Sequence, residues 1–314
     1  LNPDPSGGHW NSPGMHAVLQ QLDAHSGCGK AQSCLPVFIE AVQNDPDTSE
    51  LHFALGNLFR RRGEYERAVR VHEHLLSRGD LSEDDRHRAQ HALALDYLKA
   101  GLLDRAEEAL LKLEGTRFEA QARLALLANY ERSRDWEHAA LVAHKLESSG
   151  QGSFKGRLAH YLCEQAATLV AAGHPEDAQA LLEEAKEIAP EAPRPRMDQA
   201  QLQARAGQSA QACATLTAAL HAAPGAVGLI APQLAQQALA AQQSAAALAL
   251  LQEVYAQGRS LDVLDAIVAL EAASPQATPT AREWYARHLE NEPSLVAAAK
   301  WIAGEKLEHE AFHP

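Results

Sequence analysis

The chain has 314 residues, 46% of them apolar but only 5% aromatic, and carries a net charge of −13. Apolar content made mostly of Ala and Leu packs helices closely and does not build sheets. The acidic balance argues against nucleic acid as the main partner, because phosphate binding needs basic surface. Four cysteines, Cys28, Cys34, Cys163 and Cys213, form no C-x-x-C pair and no disulfide framework, which points to a reducing compartment. No run of 18 apolar residues offers a membrane span, and residue 1 opens no recognisable signal peptide.

In chain order, residues 1–36 read as an N-terminal tail and a degenerate helix around Val18, Leu19 and Leu22. The stretch VFIEAVQNDP from Val37 reads as the last helix of a repeat, stopped by Pro46. Glu50 to Leu76 then reads as two amphipathic helices joined at Gly63. With Ser49 as position 1, Leu55, Gly56, Phe59 and Ala68 take positions 7, 8, 11 and 20, the pattern of a tetratricopeptide repeat, with His52 in place of the usual Trp. One such unit cannot bury its own apolar faces, so it implies neighbours.

The neighbours follow. Tyr97, Gly101 and Ala106 repeat the roles of Phe59, Gly63 and Ala68 after a short insertion around Gly79 to Asp85. Tyr130 and Ala139 do so again, with Arg134 replacing the turn glycine. The segment SSGQGSFK, from Ser148 to Lys155, is a loop by composition. Gly173, Ala178 and Pro190 recur 34 residues on as Gly207, Ala212 and Pro224, and Ala246 is expected at the next step. An eighth, degenerate unit pairs Leu261–Ala272 with Thr280–Leu289. The Ala-rich segment from Ala235 to Leu251 reads as a flexible joint, since small side chains bury little area each. The fold class expected is all-α, a right-handed α-solenoid of about eight tetratricopeptide repeats over residues 37–293. A capping helix and tail, N-capped by Ser294, complete residues 294–314. A long coiled coil is excluded by the glycines and prolines recurring between helices.

No phosphate-binding loop, nucleophile elbow or H-E-x-x-H motif is present, so no enzyme is expected. Cys28 and Cys34 lack a second thiol pair for a metal. His72 and His74, two residues apart, fall on different helix faces, and His87 and His91 have ligand spacing without a third ligand. Cys163 and Cys213 read as small packing residues. Function is instead expected on the face lined by the first helix of each repeat. Counting register puts Phe53, Asn57, Arg60, Arg61, His91, Leu95, Lys99 and Arg132 there, followed by Arg194, Gln201 and Arg205. Basic residues on an acidic chain suggest a groove for an acidic peptide, with Asn57 placed to bond its backbone. The competing reading is a solvated face with intrahelical pairs such as Glu66–Arg70.

The run ALGNLFRRRGE, followed one repeat later by DYLKAGLLDRAE and preceded by FIEAVQNDPDTSELHF, resembles the lipopolysaccharide assembly protein B family. The resemblance covers roughly residues 37–314 and is strongest over 37–115. It implies an inner-membrane adaptor with an N-terminal membrane helix, cytoplasmic repeats and a C-terminal rubredoxin-like metal knuckle. It also implies two partners, the FtsH protease and the lipid A deacetylase whose degradation the adaptor promotes. Neither the membrane helix nor the knuckle is found in residues 1–314, so a soluble fragment is expected, with no family metal ligand carried over and no bound cofactor. Self-association is a further expectation for such arrays. The alternative is a tetratricopeptide scaffold serving another pathway. A glycosyltransferase fusion finds no nucleotide-sugar domain here.

Overall fold

Gly56 and Ala68 set the first hairpin. They let α1 (Ser49–Arg61) and α2 (Tyr65–Ser77) approach closely, and Ala68 is fully buried beneath Leu55 and Phe59. The computed structural model describes residues 48–258, 260–273 and 281–291, together with Pro36, Ile39, Glu40, Val296, Ala298 and Lys300. Apart from those single residues, the tail and helix expected within 1–36, with Cys28 and Cys34, lie outside this set. So do the repeat helix ending at Pro46 and the capping helix from Ser294.

Among the described residues all regular structure is helical. Two hairpins follow the first, α3 (Glu83–Ala100) with α4 (Leu103–Leu111) and α5 (Glu119–Ser133) with α6 (Trp136–Ser148). After the SSGQGSFK loop come α7 (Lys155–Ala171) with α8 (Pro175–Ile188) and α9 (Pro193–Arg205) with α10 (Ser209–Ala222). The last pairs are α11 (Val227–Ala240) with α12 (Ser244–Gly258) and α13 (Leu261–Ala272) with α14 (Ala281–Asn291). The fold class is therefore all-α and tetratricopeptide-repeat. The chain divides into two compact units between Gly152 and Ser153, inside the loop read from composition. The repeat spacing by itself suggests one uninterrupted array.

The same bond closes the six hairpin turns from α1–α2 to α11–α12. The N–H of Glu64 donates to the carbonyl of Phe59 at 2.9 Å, that of Leu102 to Tyr97 at 2.9 Å and that of Asp135 to Tyr130 at 2.9 Å. His174 to Leu169 (2.9 Å), Gln208 to Gln203 (2.8 Å) and Gln243 to Ala238 (2.9 Å) repeat it in the second unit. This six-to-one closure needs a left-handed residue just before the donor. Gly63 and Gly101 supply it at φ 80° and 79°, whereas Arg134 and Gln242 adopt it at φ 58° despite carrying a Cβ.

Five residues beyond each left-handed turn residue lies a buried alanine: Ala68, Ala106, Ala139, Ala178, Ala212 and then Ala247. The expectation of Ala246 is corrected by one position. Gln242 sets the turn one residue later than a strict 34-residue step, so Ala246 is exposed and Ala247 faces the core. Nor do Ala235, Ala238, Ala247 and Leu251 stand apart from the rest. They are buried in one core with Leu216, Ile230, Leu234, Ile267 and Leu270.

Candidate partner-binding surface

In the first unit, α1 and α3 are tied by a polar cluster around Asp96, which is fully buried. Nδ1 of His72, on α2, donates to Oδ2 of Asp96 at 2.5 Å, and Nη1 of Arg60 donates to Oδ1 at 2.9 Å. Arg60 also donates to the carbonyl of Ala92 at 3.2 Å and to Oδ1 of Asn57 at 2.5 Å. Nε2 of His72 is buried with no hydrogen-bond partner, facing Gly56, which suits the tautomer with a bare lone pair there. A carboxylate buried this deeply needs both donors to offset its lost hydration.

This cluster reassigns several of the expected groove residues. Phe53 does not line a groove. It is 1% exposed, packs with Leu75 and Ala89, and carries the Arg88 guanidinium 4.1 Å above its ring. Its place on the apolar stripe of α1 drives it inward. Arg60, and Asn57 through it, are engaged as struts between α1 and α3. Arg132 donates through Nη1 to the carbonyl of Leu98, satisfying the C-terminal end of α3. His91 is half-buried and stacked on the Phe118 ring at 5.7 Å, and burial, with Arg60 nearby, holds its imidazole below the usual histidine range. Arg61 and Lys99 remain exposed. Arg205 belongs to the second unit.

Sequence reasoning missed the acid that holds Arg60. Asp96 was the signal available, a charged residue among Ala92, Leu93 and Tyr97 on the buried face of α3. A second recurring contact also escaped it. The hydroxyl of Tyr97 donates to Glu73 at 2.7 Å and that of Tyr130 to Glu107 at 2.7 Å, each joining a first helix to the helix before it. Burial, then the bond to Glu73, pushes the Tyr97 phenol up to about 12.

In the second unit, Arg194 is shared. Its guanidinium donates to Glu164 at 2.8 Å, to Nδ1 of His160 at 2.6 Å and to Asp198 at 3.3 Å, binding α9 to α7. Burial raises the Asp198 carboxyl, against the pull of Arg194. Burial, and then Asp198, pushes the Cys163 thiol up to about 12, far from a reactive thiolate. A cavity of about 320 Å³ opens beside them between α7 and α9, floored by Ala166, Val170, Leu182 and Leu202. A second, of about 310 Å³, opens between α9 and α11 and is lined by Gln233, Gln236 and Gln237. Gln201 and Arg205 border both.

Among the described residues no three His, Cys, Asp or Glu side chains are grouped to hold a metal ion, and His72 and His74 do lie on opposite faces, one buried and one exposed. No single described helix is long and apolar enough to cross a membrane. The α10 region and the Pro224–Ala240 segment pass that test only together, at a bend of 118°.

No family model matches the chain. The chain is 38% identical over 131 residues to lipopolysaccharide assembly protein B of Escherichia coli strain K12, covering 41% of this chain and 34% of that protein. It is 32% identical over 145 residues to the protein of the same name from Haemophilus influenzae, covering 45% and 36%. The matched stretch thus spans about a third of the length of these relatives. Among solved structures, a tetratricopeptide repeat protein from Parabacteroides merdae aligns with TM-score 0.42 at 14% identity, over 82% of this chain and 99% of that one. The Naa15/Naa10 complex bound to HypK-THB aligns with TM-score 0.46 at 14% identity, over 90% and 43%. The hairpin geometry, not these superpositions, fixes the fold class. The chain is a tetratricopeptide-repeat protein that is similar, over 131 of its residues, to lipopolysaccharide assembly protein B.

Proposed function

We propose that this chain is the repeat portion of a non-enzymatic adaptor that limits lipopolysaccharide synthesis by presenting the lipid A deacetylase to the FtsH protease at the cytoplasmic face of the inner membrane. The observation that supports this most is the 38% identity to lipopolysaccharide assembly protein B across repeats that carry no catalytic motif. Stacked helical hairpins suit the role, because they offer extended surface without needing a closed active site. In the first unit, the exposed Arg61 and Lys99 are the cations free to meet an acidic partner segment, while Arg60 and Arg132 hold the helices that carry them. A metal knuckle and a membrane helix belong to this reading as features of the full-length protein.

The test is the deacetylase half-life in cells lacking the endogenous relative, with and without the full-length gene that encodes this chain. The expected result is a shortened half-life, together with recovery of both the protease and the deacetylase on the immobilised chain. An unchanged half-life with neither protein recovered would leave only a generic repeat scaffold.

A further inference from the structure

The second helices of the first unit carry an apolar hollow of their own. A cavity of about 210 Å³ opens between α4 and α6, over α5. Its floor is buried Leu110, Ala122, Leu126 and Tyr130, and its lips are Leu111 of α4 and Leu141 of α6. Those two leucines are 49% and 60% exposed. Large aliphatic side chains held open to water on both sides of an apolar hollow mark an interaction surface.

The hollow is elongated and its two ends differ in charge. Its lining on α5 runs from Glu119 to Tyr130, about 16 Å or roughly three turns of helix. At one end Glu114 meets Lys145 at 3.5 Å and Glu119 meets Arg123 at 2.5 Å, so that end is neutral. At the other, the Tyr130 ring stacks on His138 at 5.3 Å, among the first turns of α4 and α6. There Asp104 and Glu137 are exposed and in no ion pair among the described residues. Glu107 is bonded to the Tyr130 hydroxyl and Asp135 to His138, so neither meets a permanent cation. Against these four carboxylates stand Arg105, over the Tyr97 ring at 5.8 Å, and Arg134 in the turn. An apolar trough with an acidic end is the complement of an amphipathic helix with an aliphatic stripe and a basic end. The same acids repel an anionic lipid surface.

We propose that α4, α5 and α6 form a docking site for one amphipathic helix of a protein partner. Its aliphatic side chains, at i, i+3 or i+4 and i+7, lie between Leu111 and Leu141, and its Lys or Arg end meets Asp104 and Glu137. The charge preference is opposite to that of Arg61 and Lys99, so this surface takes a different partner segment. It goes beyond the adaptor reading and is independent of the pathway the repeats serve.

A fluorescein-labelled, Ala-based helical peptide with Leu at i, i+4 and i+7 and Lys at one end, titrated into the full chain and followed by anisotropy, tests it. Saturable binding is expected, and a peptide of the same composition with its Leu order scrambled should not bind. Leu141→Gln keeps a good helix former and should weaken binding about tenfold, the effect of one leucine no longer buried. Its melting curve should match the parent's, because that side chain is 60% exposed in the free chain. Glu137→Lys should weaken the Lys-ended peptide and strengthen a Glu-ended one, whereas Arg61→Glu should alter neither. The proposal is overturned if the ordered peptide does not bind, if the scrambled one binds equally well, or if Leu141→Gln and Glu137→Lys both bind as the parent does. Concentration-dependent dimerisation that Leu141→Gln abolishes would make the occupant a second copy of the chain and would equally overturn it. None of these results bears on the deacetylase half-life, so the two readings fail separately.

Discussion

A methyl group at Gly56 would lie 2.4 Å from Nε2 of His72, and that ring has no room to withdraw. It is pinned by its 2.5 Å bond to Asp96 on one side and by the Phe53 ring 6.2 Å away on the other. Gly56→Ala should therefore cost about 2 kcal/mol through overpacking, measurable as a lower urea midpoint at unchanged slope. The same cluster separates two neighbouring arginines that look alike in the sequence. Arg60→Glu places a second carboxylate against buried Asp96 and should unfold the first unit's outer hairpin. Arg61→Glu changes only an exposed side chain, should leave the melting temperature within a degree or so of the parent, and is the clean test of whether this face recruits an acidic partner. Loss of stability in Arg61→Glu would show that this side chain, too, is a strut.

Helix ends carry the next scale of argument. The turn closure recurs with the same bond, yet Arg134 and Gln242 hold a left-handed backbone that glycine adopts freely, at a cost of roughly 1–2 kcal/mol of intrinsic strain each. Arg134→Gly relieves that strain while loosening the unfolded chain, so a net gain of about 0.5 kcal/mol is expected in thermal or urea unfolding. Gly173→Ala runs the other way and should lose about 1 kcal/mol, because φ 87° is closed to a side chain at that turn. These turns are legible in the sequence, since Gly63, Gly101, Gly173 and Gly207 mark them by residue type. Legibility fails where composition is uniform. Ala245, Ala246 and Ala247 are chemically identical candidates for one buried position, and only the backbone at Gln242 chooses among them. The groove is less legible for a different reason. A charge in the right helical register says nothing of its partner, and Asp96 lies 36 residues from Arg60 on another helix.

At the scale of the whole molecule, repeat stacking makes stability a sum over neighbouring hairpins, so damage should stay near its source. Asp96 offers the sharpest case. Asp96→Ala removes the buried acceptor of both His72 and Arg60, which should cost about 3 kcal/mol in the first unit. The second unit has its own core, built around Leu216, Ile230, Leu234, Ile267 and Leu270, and Asp96 is no part of it. Hydrogen exchange read peptide by peptide should then show protection falling across α1 to α4 while α9 to α13 keep theirs. The exposed amides of α12 would exchange faster than those of α11, since only Ala247 and Leu251 of α12 are buried, without making the Ala-rich segment a hinge. A uniform loss of protection along both units would mean that the chain unfolds as one cooperative body and that the division near Gly152 has no energetic counterpart.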